Sequence, residues 1–320
     1  MTIFITGGAG FIGSNLVDAL LYLDHKIVVL DNLDTFYAKE LKLRNIKKAK
    51  ESVNFKFIEG DIRSTDTLNT IFCENSIDIV VHLAAKAGVR QSISNPSENY
   101  QVNLMGTLCL LEAMRLSNVK KLIFASSSSV YGNGADIPFK ENSSSTDRPI
   151  SPYAVSKKSA ELLCYSFNHL YNFDITCLRF FTVYGPRQRP DLAIHKFSKL
   201  ILNEEPIPFF GDGETSRDYT FITDVVSGIL NAIQHLDGFK IYNLGNSQTI
   251  SLSNLVDLLE KVLNKESKKT KLPKQIGDVE RTFADISKAK FDLEYNPKVS
   301  IEEGLEIFAE WFLNENINSK

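Results

Sequence analysis

Tyr153 and Lys157 stand four residues apart in the segment Ser151-Pro-Tyr-Ala-Val-Ser-Lys157. On a helix, that spacing puts both side chains on one face. A phenol that ionises near pH 10 is a poor base at neutral pH. An ammonium about 6 Å away, at an effective dielectric of about 20, favours the phenolate by roughly 3 kcal/mol. That brings the ionisation down by about two pH units. Tyr153 then takes an alcohol proton as a general base. Upstream, Ala125-Ser-Ser-Ser-Ser-Val-Tyr-Gly132 follows an apolar run, and Ser127 is placed to hydrogen-bond the same alcohol. Tyr-x-x-x-Lys alone also fits a surface helix pair. A serine cluster at a strand end upstream argues for chemistry, with Ser127, Tyr153 and Lys157 as the catalytic set.

A second group of residues points to a dinucleotide. Thr6-Gly-Gly-Ala-Gly-Phe-Ile-Gly13 places glycines at 7, 10 and 13 between an apolar run and a helical pattern. Glycines there let the chain turn tightly and bring backbone N–H groups against a pyrophosphate at a helix N-terminus. Val28-Val-Leu-Asp31 ends the second run on an acid. Asp31 can accept from ribose hydroxyls and would repel a 2′-phosphate, which favours NAD over NADP. Its other reading is a plain cap or turn residue. Asp61 and Ile62 end the third run and can flank an adenine. His82-Leu-Ala-Ala-Lys86 ends the fourth with small residues that admit a ribose and pyrophosphate.

These residues need a scaffold, and the chain supplies one. The apolar runs Ile3–Ile5, Lys26–Leu30, Val53–Ile58, Ile77–Val81, Lys121–Ala125 and Asp174–Arg179 alternate with helix-length segments. That rhythm predicts an α/β protein with a doubly wound parallel sheet, covered on both faces. The expected division is a cofactor domain over 1–180, with a return around 220–246, and a smaller mixed α/β substrate domain over 181–320. Tyr184–Asp191 and Asn203–Arg217 read as irregular, rich in Pro and Gly. Helices are expected at Asp224–His235, Leu252–Leu263 and Ile301–Leu313, a strand at Lys240–Asn243, and an exposed basic connector at Lys265–Lys274.

Composition sets outer limits. The 320 residues carry 36 Lys+Arg against 39 Asp+Glu, a net charge of −3, with 43% hydrophobic residues. So even a balance gives no sign of a nucleic-acid or membrane partner, and the composition excludes disorder and coiled coil. Cys73, Cys109, Cys164 and Cys177 lie in apolar stretches without metal-ligand spacing, so they read as buried small hydrophobes in a reducing compartment. No metal is expected. The N-terminus lacks a signal-peptide pattern and no window is long and apolar enough to span a membrane, so a cytoplasmic location is expected.

Together the motifs TGGAGFIG, Asp31-Asn32, GDIR, HLAA, SSSSVYG, SPYAVSK, LRFFTVYGPRQRPD, SRDYTFITD and ADISKAK resemble the extended short-chain dehydrogenase/reductase family, over nearly the whole chain. Within it they resemble the nucleotide-sugar 4-epimerases. The resemblance implies that Ser127, Tyr153 and Lys157 form the catalytic triad. It also implies a bound NAD contacted by Gly7, Gly10, Phe11, Ile12, Gly13, Asp31, Asn32, Asp61, Ile62, Leu83, Ala84, Ala85, Lys86, Asn103, Tyr153, Lys157 and Phe180. Thr182 and Arg217 match sugar- and diphosphate-facing positions, and Asp278 a uridine-side position. The implied reaction is redox-neutral. Tyr153 takes the 4-hydroxyl proton while hydride passes to NAD, the 4-keto sugar turns over, and hydride returns to its other face. A homodimer through the helices near Asn99–Arg115 and Pro152–Tyr171 is implied as well, although core burial explains the same apolar pattern.

Relatives that dehydrate or decarboxylate sugars carry an acid after the catalytic Ser/Thr, where this chain has Ser128 and Ser129. Phe180–Ala193 and Gly88-Val-Arg90 most resemble UDP-glucuronate 4-epimerases. A uronate carboxylate wants cationic and hydroxyl donors, and Ser128, Ser129, Thr182 and Arg189 can supply them. Holding that carboxylate would suppress loss of CO2 from the β-keto acid intermediate. Arg187 and Arg189 have a second reading as phosphate contacts or loop braces, and Arg90 as a surface or phosphate-facing residue. Relatives often carry Arg shortly before Gly277-Asp278, whereas this chain has Gln275, with Arg281 nearby. The alternatives are a UDP-glucose or UDP-N-acetylglucosamine 4-epimerase, which commonly has Asn at the place of Thr182, or a non-catalytic NAD-binding scaffold.

Overall fold

The computed structural model describes residues 1–133, 136–273 and 279–317. In chain order, the first part runs β1 (Thr2–Thr6), α1 (Phe11–Tyr22), β2 (Lys26–Asp31), α2 (Lys39–Asn45), β3 (Phe55–Glu59), α3 (Thr65–Glu74) and β4 (Ile79–His82). Then follow α4 (Val89–Ser94), α5 (Pro96–Asn99), a π-helical turn (Tyr100–Met105), α6 (Gly106–Leu116), β5 (Lys121–Ser127), α7 (Pro152–Tyr171) and β6 (Asp174–Phe180). The remainder runs β7 (Thr182–Tyr184), α8 (Ala193–Leu202), β8 (Ile207–Phe210), β9 (Ser216–Arg217), β10 (Tyr219–Phe221) and α9 (Ile222–Gln234). It ends with β11 (Phe239–Leu244), β12 (Ile250–Ser251), α10 (Leu252–Leu263), β13 (Lys269–Leu272), α11 (Ser287–Leu293) and α12 (Ile301–Ile317).

Seven strands form one parallel sheet in the order β11-β6-β5-β4-β1-β2-β3. Successive residues of a strand face opposite sides, and each side has its own core. Ile3 and Ile5 of β1 pack with Leu16 and Leu20 of α1 and Val225 and Ile229 of α9. Phe4, between them, packs with Leu110 and Met114 of α6 and Ala160, Cys164 and Phe167 of α7. Burial on both faces explains the unbroken apolar runs. The order reverses between β1 and β4, and such a switch point opens a crevice at the carboxyl ends of the strands. The glycine turn and Leu83 follow strand ends at that crevice, and Asp31 and Ser127 are the last residues of β2 and β5.

Two expectations need correction. Asn203–Arg217 is not wholly irregular, because β8 and β9 lie in it, and the basic segment after Lys265 is not a free connector. β8 and β13 pair in parallel, Ile207 against Lys269 through Phe210 against Leu272. Backbone pairing does not require apolar side chains, so the residues of β13 remain exposed while their main chain is tied down. The cysteine reading also fails for half its members. Cys164 and Cys177 are buried, but Cys73 is exposed and Cys109 half-buried. No described helix is long and apolar enough to cross a membrane.

Candidate active site

A cleft of about 500 Å³ opens along the switch point. Its floor is the glycine turn. Gly7 has φ +73°, and a Cβ there would lie 2.7 Å from the Ala84 nitrogen. A Cβ on Gly13 would collide with the Gly7 carbonyl, so α1 can pack this close to the turn only without one. Gly10, Phe11 and Ile12 line the cleft between them.

A buried relay fixes the two loops that meet here. Thr6 Oγ1 lies 2.6 Å from His82 Nδ1 and accepts from the Ala84 N–H at 3.2 Å. His82 Nε2 lies 3.0 Å from Thr107 Oγ1, whose hydroxyl donates to the Asn103 carbonyl. Nε2 therefore carries the ring proton, and Nδ1 accepts from Thr6. Burial, then the charge of Lys157, pushes His82 down to about 3, so the ring stays neutral.

Asp31 lines the cleft with both carboxylate oxygens already accepting backbone N–H groups, from Ala9 at 3.1 Å and Leu33 at 2.9 Å. Each oxygen keeps lone-pair capacity for a further donor. Asn32 donates to Asp61, and Arg63 beside Asp61 holds that carboxyl at about 2. Lys86 bridges Asp34 and Glu98, both at 2.8 Å. Asn103 does not line the cleft. From the π-helical turn its amide grips Lys86 N at 2.7 Å and Lys86 O at 3.0 Å, so it shapes the loop from behind.

The catalytic candidates converge in the same cleft. Ser151 caps α7 through the Ala154 N–H, and Pro152 opens the helix, which places Tyr153 in its first turn. Ser127 and Tyr153 line the cleft together, and the Ser127 hydroxyl favours the ionised phenol. Lys157 is 4% exposed and donates to the Ala125 carbonyl at 2.8 Å. The expectation that Lys157 brings the Tyr153 phenol down is not met in this structure. Desolvation outweighs all else and raises the phenol, although Tyr153 keeps some surface in the cleft; the Ser127 hydroxyl and the Arg189 charge oppose it. Burial likewise lowers the Lys157 ammonium to about 8.

Ser128, Ser129 and Thr182 line the main cleft and also a side cavity of about 100 Å³ that Arg217 and Thr282 close. Leu83, Ala85, Ile62 and Phe180 complete the apolar wall. Arg189 lines the main cleft, bound in a fork to Asp191 at 3.0 and 2.8 Å. The arginines of these loops go to different places. Arg187 turns away to Asp18 on α1 at 2.7 Å and braces its loop, and the Arg90 guanidinium lies 5.3 Å from the Phe210 ring centre. Asp278 lies outside the described residues, as do Gln275 and Gly277.

A family model, GDP-mannose 4,6 dehydratase, matches residues 4–308. The chain belongs to this family. The family sits within the extended short-chain dehydrogenases/reductases. The UDP-glucuronate 4-epimerase of Thermodesulfobacterium geofontis is 45% identical over 314 residues, covering 98% of this chain and 96% of that one. The crystal structure of UDP-glucuronic acid 4-epimerase from Bacillus cereus, in complex with UDP-glucuronic acid and NAD, superposes with a TM-score of 0.92. It is 38% identical and covers 98% of this chain and 100% of that one. UDP-glucose 4-epimerase from Thermotoga maritima gives 0.90 at 34% identity, covering 99% and 100%. Although the family takes its name from a dehydratase, this member has serines, not an acid, at 128 and 129.

Two sets of residues escaped the sequence reading. Phe36 and Tyr37 line the cleft from the loop after β2, and only their distance from Asp31 hinted at it. Glu161 and Arg179 form a buried pair behind the catalytic candidates. The four-residue step from Lys157 to Glu161 was the available signal.

Proposed function

We propose that this protein is an NAD-dependent UDP-sugar 4-epimerase that interconverts UDP-glucuronate and UDP-galacturonate. The observation that carries the reading is a convergence in one cleft. Ser127, Tyr153 and Lys157 meet Ser128, Ser129, Thr182 and Arg189 there, a few residues from the glycine turn and Asp31. Similarity along the full length to enzymes named for this reaction supports it.

The cleft fits NAD by its own geometry: a turn that admits no Cβ at Gly7 or Gly13, a helix N-terminus, and an acid at the end of β2. Gly7, Gly10, Phe11, Ile12 and Gly13 would hold the pyrophosphate, with Asp31 and Asn32 on the ribose and Asp61 and Ile62 beside the adenine. Lys86 and the Leu83–Ala85 backbone would border it, positioned by Asn103, and Phe180 would flank the nicotinamide. When bound, NAD would supply reversible hydride transfer at the sugar C4. Tyr153 takes the 4-hydroxyl proton and returns it to the 4-oxygen once the sugar has turned over, Ser127 orients that oxygen, and Lys157 holds positive charge beside the phenol.

Ser128, Ser129, Thr182 and Arg189 hold the uronate carboxylate, while Arg217 faces the diphosphate. In this reading residues 1–180, with the return at 220–246, serve the cofactor, and 181–320 mostly serve the substrate. Apolar side chains left exposed at Leu162, Tyr165 and Leu170 of α7 and Leu116 of α6 favour a homodimer through those helices. Four free cysteines fit a cytoplasmic enzyme.

The test is incubation with UDP-glucuronate, UDP-glucose and UDP-N-acetylglucosamine separately, without added NAD. Product from UDP-glucuronate alone is expected. Faster turnover of UDP-glucose would move the assignment to the UDP-glucose epimerases.

A further inference from the structure

Glu161 is a buried charge close to the reacting groups that the proposed chemistry leaves unused. Tyr153, Lys157 and Glu161 are successive four-residue steps along α7 and share one face. Lys157 and Glu161 end on adjacent residues of β5. Lys157 donates to the Ala125 carbonyl at 2.8 Å, and Ser126 Oγ donates to Glu161 Oε1 at 2.6 Å. The next residue, Ser127, lines the cleft with Tyr153.

From β6, Arg179 grips Glu161 in a fork, Nε to Oε1 and Nη2 to Oε2, both at 2.8 Å. The two side chains are 1% and 2% exposed. The remaining Arg179 nitrogen donates to the Tyr131 hydroxyl at 2.9 Å, and Tyr131 donates to Asn243 of β11 at 2.6 Å. One chain of hydrogen bonds thus ties α7 to β5, β6 and β11.

Stability alone does not call for these charges. Burying an ion pair costs about as much as it returns, and an apolar pair of similar volume is often as stable. An apolar pair could not accept the Ser126 hydroxyl at the end of β5. The groups facing Lys157 are Glu161 and Cys164 on its own helix and His82 at the end of β4, with Arg179 and Lys158 beyond Glu161. His82 is neutral, and burial of Lys157 works against its charge while Cys164 and then Glu161 work for it.

We propose that Glu161 is a positioning residue, which holds the Ser126–Ser127 strand end against α7 and so sets Ser127 beside Tyr153. The inference rests on Tyr153 and Lys157 being the proton-transferring pair.

Glu161→Gln and Glu161→Asp test it with two readouts. The first is the absorbance titration of Tyr153 in protein stripped of cofactor, taken as the difference from Tyr153→Phe. The second is kcat for UDP-glucuronate against pH. In Glu161→Gln the phenol should ionise about one pH unit higher and kcat at pH 7 should fall about tenfold, with KM within about twofold. Glu161→Asp, which keeps a carboxylate to accept from Ser126 one methylene further back, should restore part of the titration. If Glu161→Gln does not fold because Arg179 is left unpaired, Glu161→Gln with Arg179→Met carries the same measurement and the same expected result. An unmoved titration and an unmoved pH profile in a folded variant overturn the proposal. Absence of turnover in the unmodified protein would instead overturn the epimerase assignment, and the Tyr153 titration would still decide the role of Glu161.

Discussion

The Arg189 guanidinium lies over the ring of Phe36, 5.2 Å from its centre. Phe36 follows β2, in the half that carries the glycine turn, and Arg189 follows β7 in the other half. Asp191 holds the guanidinium in a fork, and Asp34, two residues before Phe36, is latched to Lys86. Arg189 is thereby pre-aimed into the cleft. A preformed cation loses little freedom on taking a carboxylate, and a charge-assisted hydrogen bond is worth about 1.5–3 kcal/mol.

Arg189→Ala should therefore raise KM for UDP-glucuronate about tenfold or more, with UDP-pentose among the products. Turnover of a neutral sugar nucleotide, if any, should be unaffected. Product analysis by chromatography and mass spectrometry checks both. Unchanged uronate kinetics with no pentose would leave Arg189 as a loop brace like Arg187.

Tyr153→Phe should keep the fold and the cofactor but lower kcat by a factor of about 100 to 10,000, the usual range for losing a positioned acid–base group. A single-turnover measurement with stoichiometric UDP-glucuronate reads this directly.

Lys157 predicts a conflict between activity and stability. Burial lowers its ammonium to about 8 from 10.5. Between those values the unfolded chain binds more protons than the folded one, so this group makes stability rise with pH across that window. At neutral pH, burying the charge costs on the order of 3 kcal/mol. Lys157→Met should accordingly abolish turnover while raising the melting temperature at pH 7, and the gain should shrink towards pH 10. A lower melting temperature at pH 7 would mean that the bond to Ala125 outweighs the burial cost.

Gly13→Ala should cost both cofactor and stability, because its Cβ meets the Gly7 carbonyl and the Gly8 backbone, neither of which can yield like a flexible side chain. Purified Gly13→Ala is expected to carry little NAD and to melt several degrees lower. A cofactor content equal to that of the unmodified protein would contradict the placement of the pyrophosphate.

Much of this architecture is legible in the sequence because its signals are local. Gly7 and Gly13 mark the turn, the Val- and Ile-rich runs mark buried parallel strands, and the step from Tyr153 to Lys157 marks a helix face. Destinations are not local. Arg187 and Arg189 look equivalent in Pro-Arg-Gln-Arg-Pro, yet one reaches Asp18 and the other lines the cleft. Arg90 reads as an anion contact but lies against Phe210, a pairing set by folding across more than a hundred residues. Asn103 fits a cofactor contact by its position, while its amide serves the Lys86 backbone. The phenol of Tyr153 depends on how many atoms surround it, a quantity that no spacing rule contains.

The central claim is that one hydride leaves C4 and returns to the same carbon within a closed site. UDP-glucuronate carrying deuterium at C4, incubated without added NAD, tests it most directly. The predicted product is UDP-galacturonate with the deuterium retained at C4, formed more slowly than from unlabelled substrate. Loss of that label to water would contradict the account.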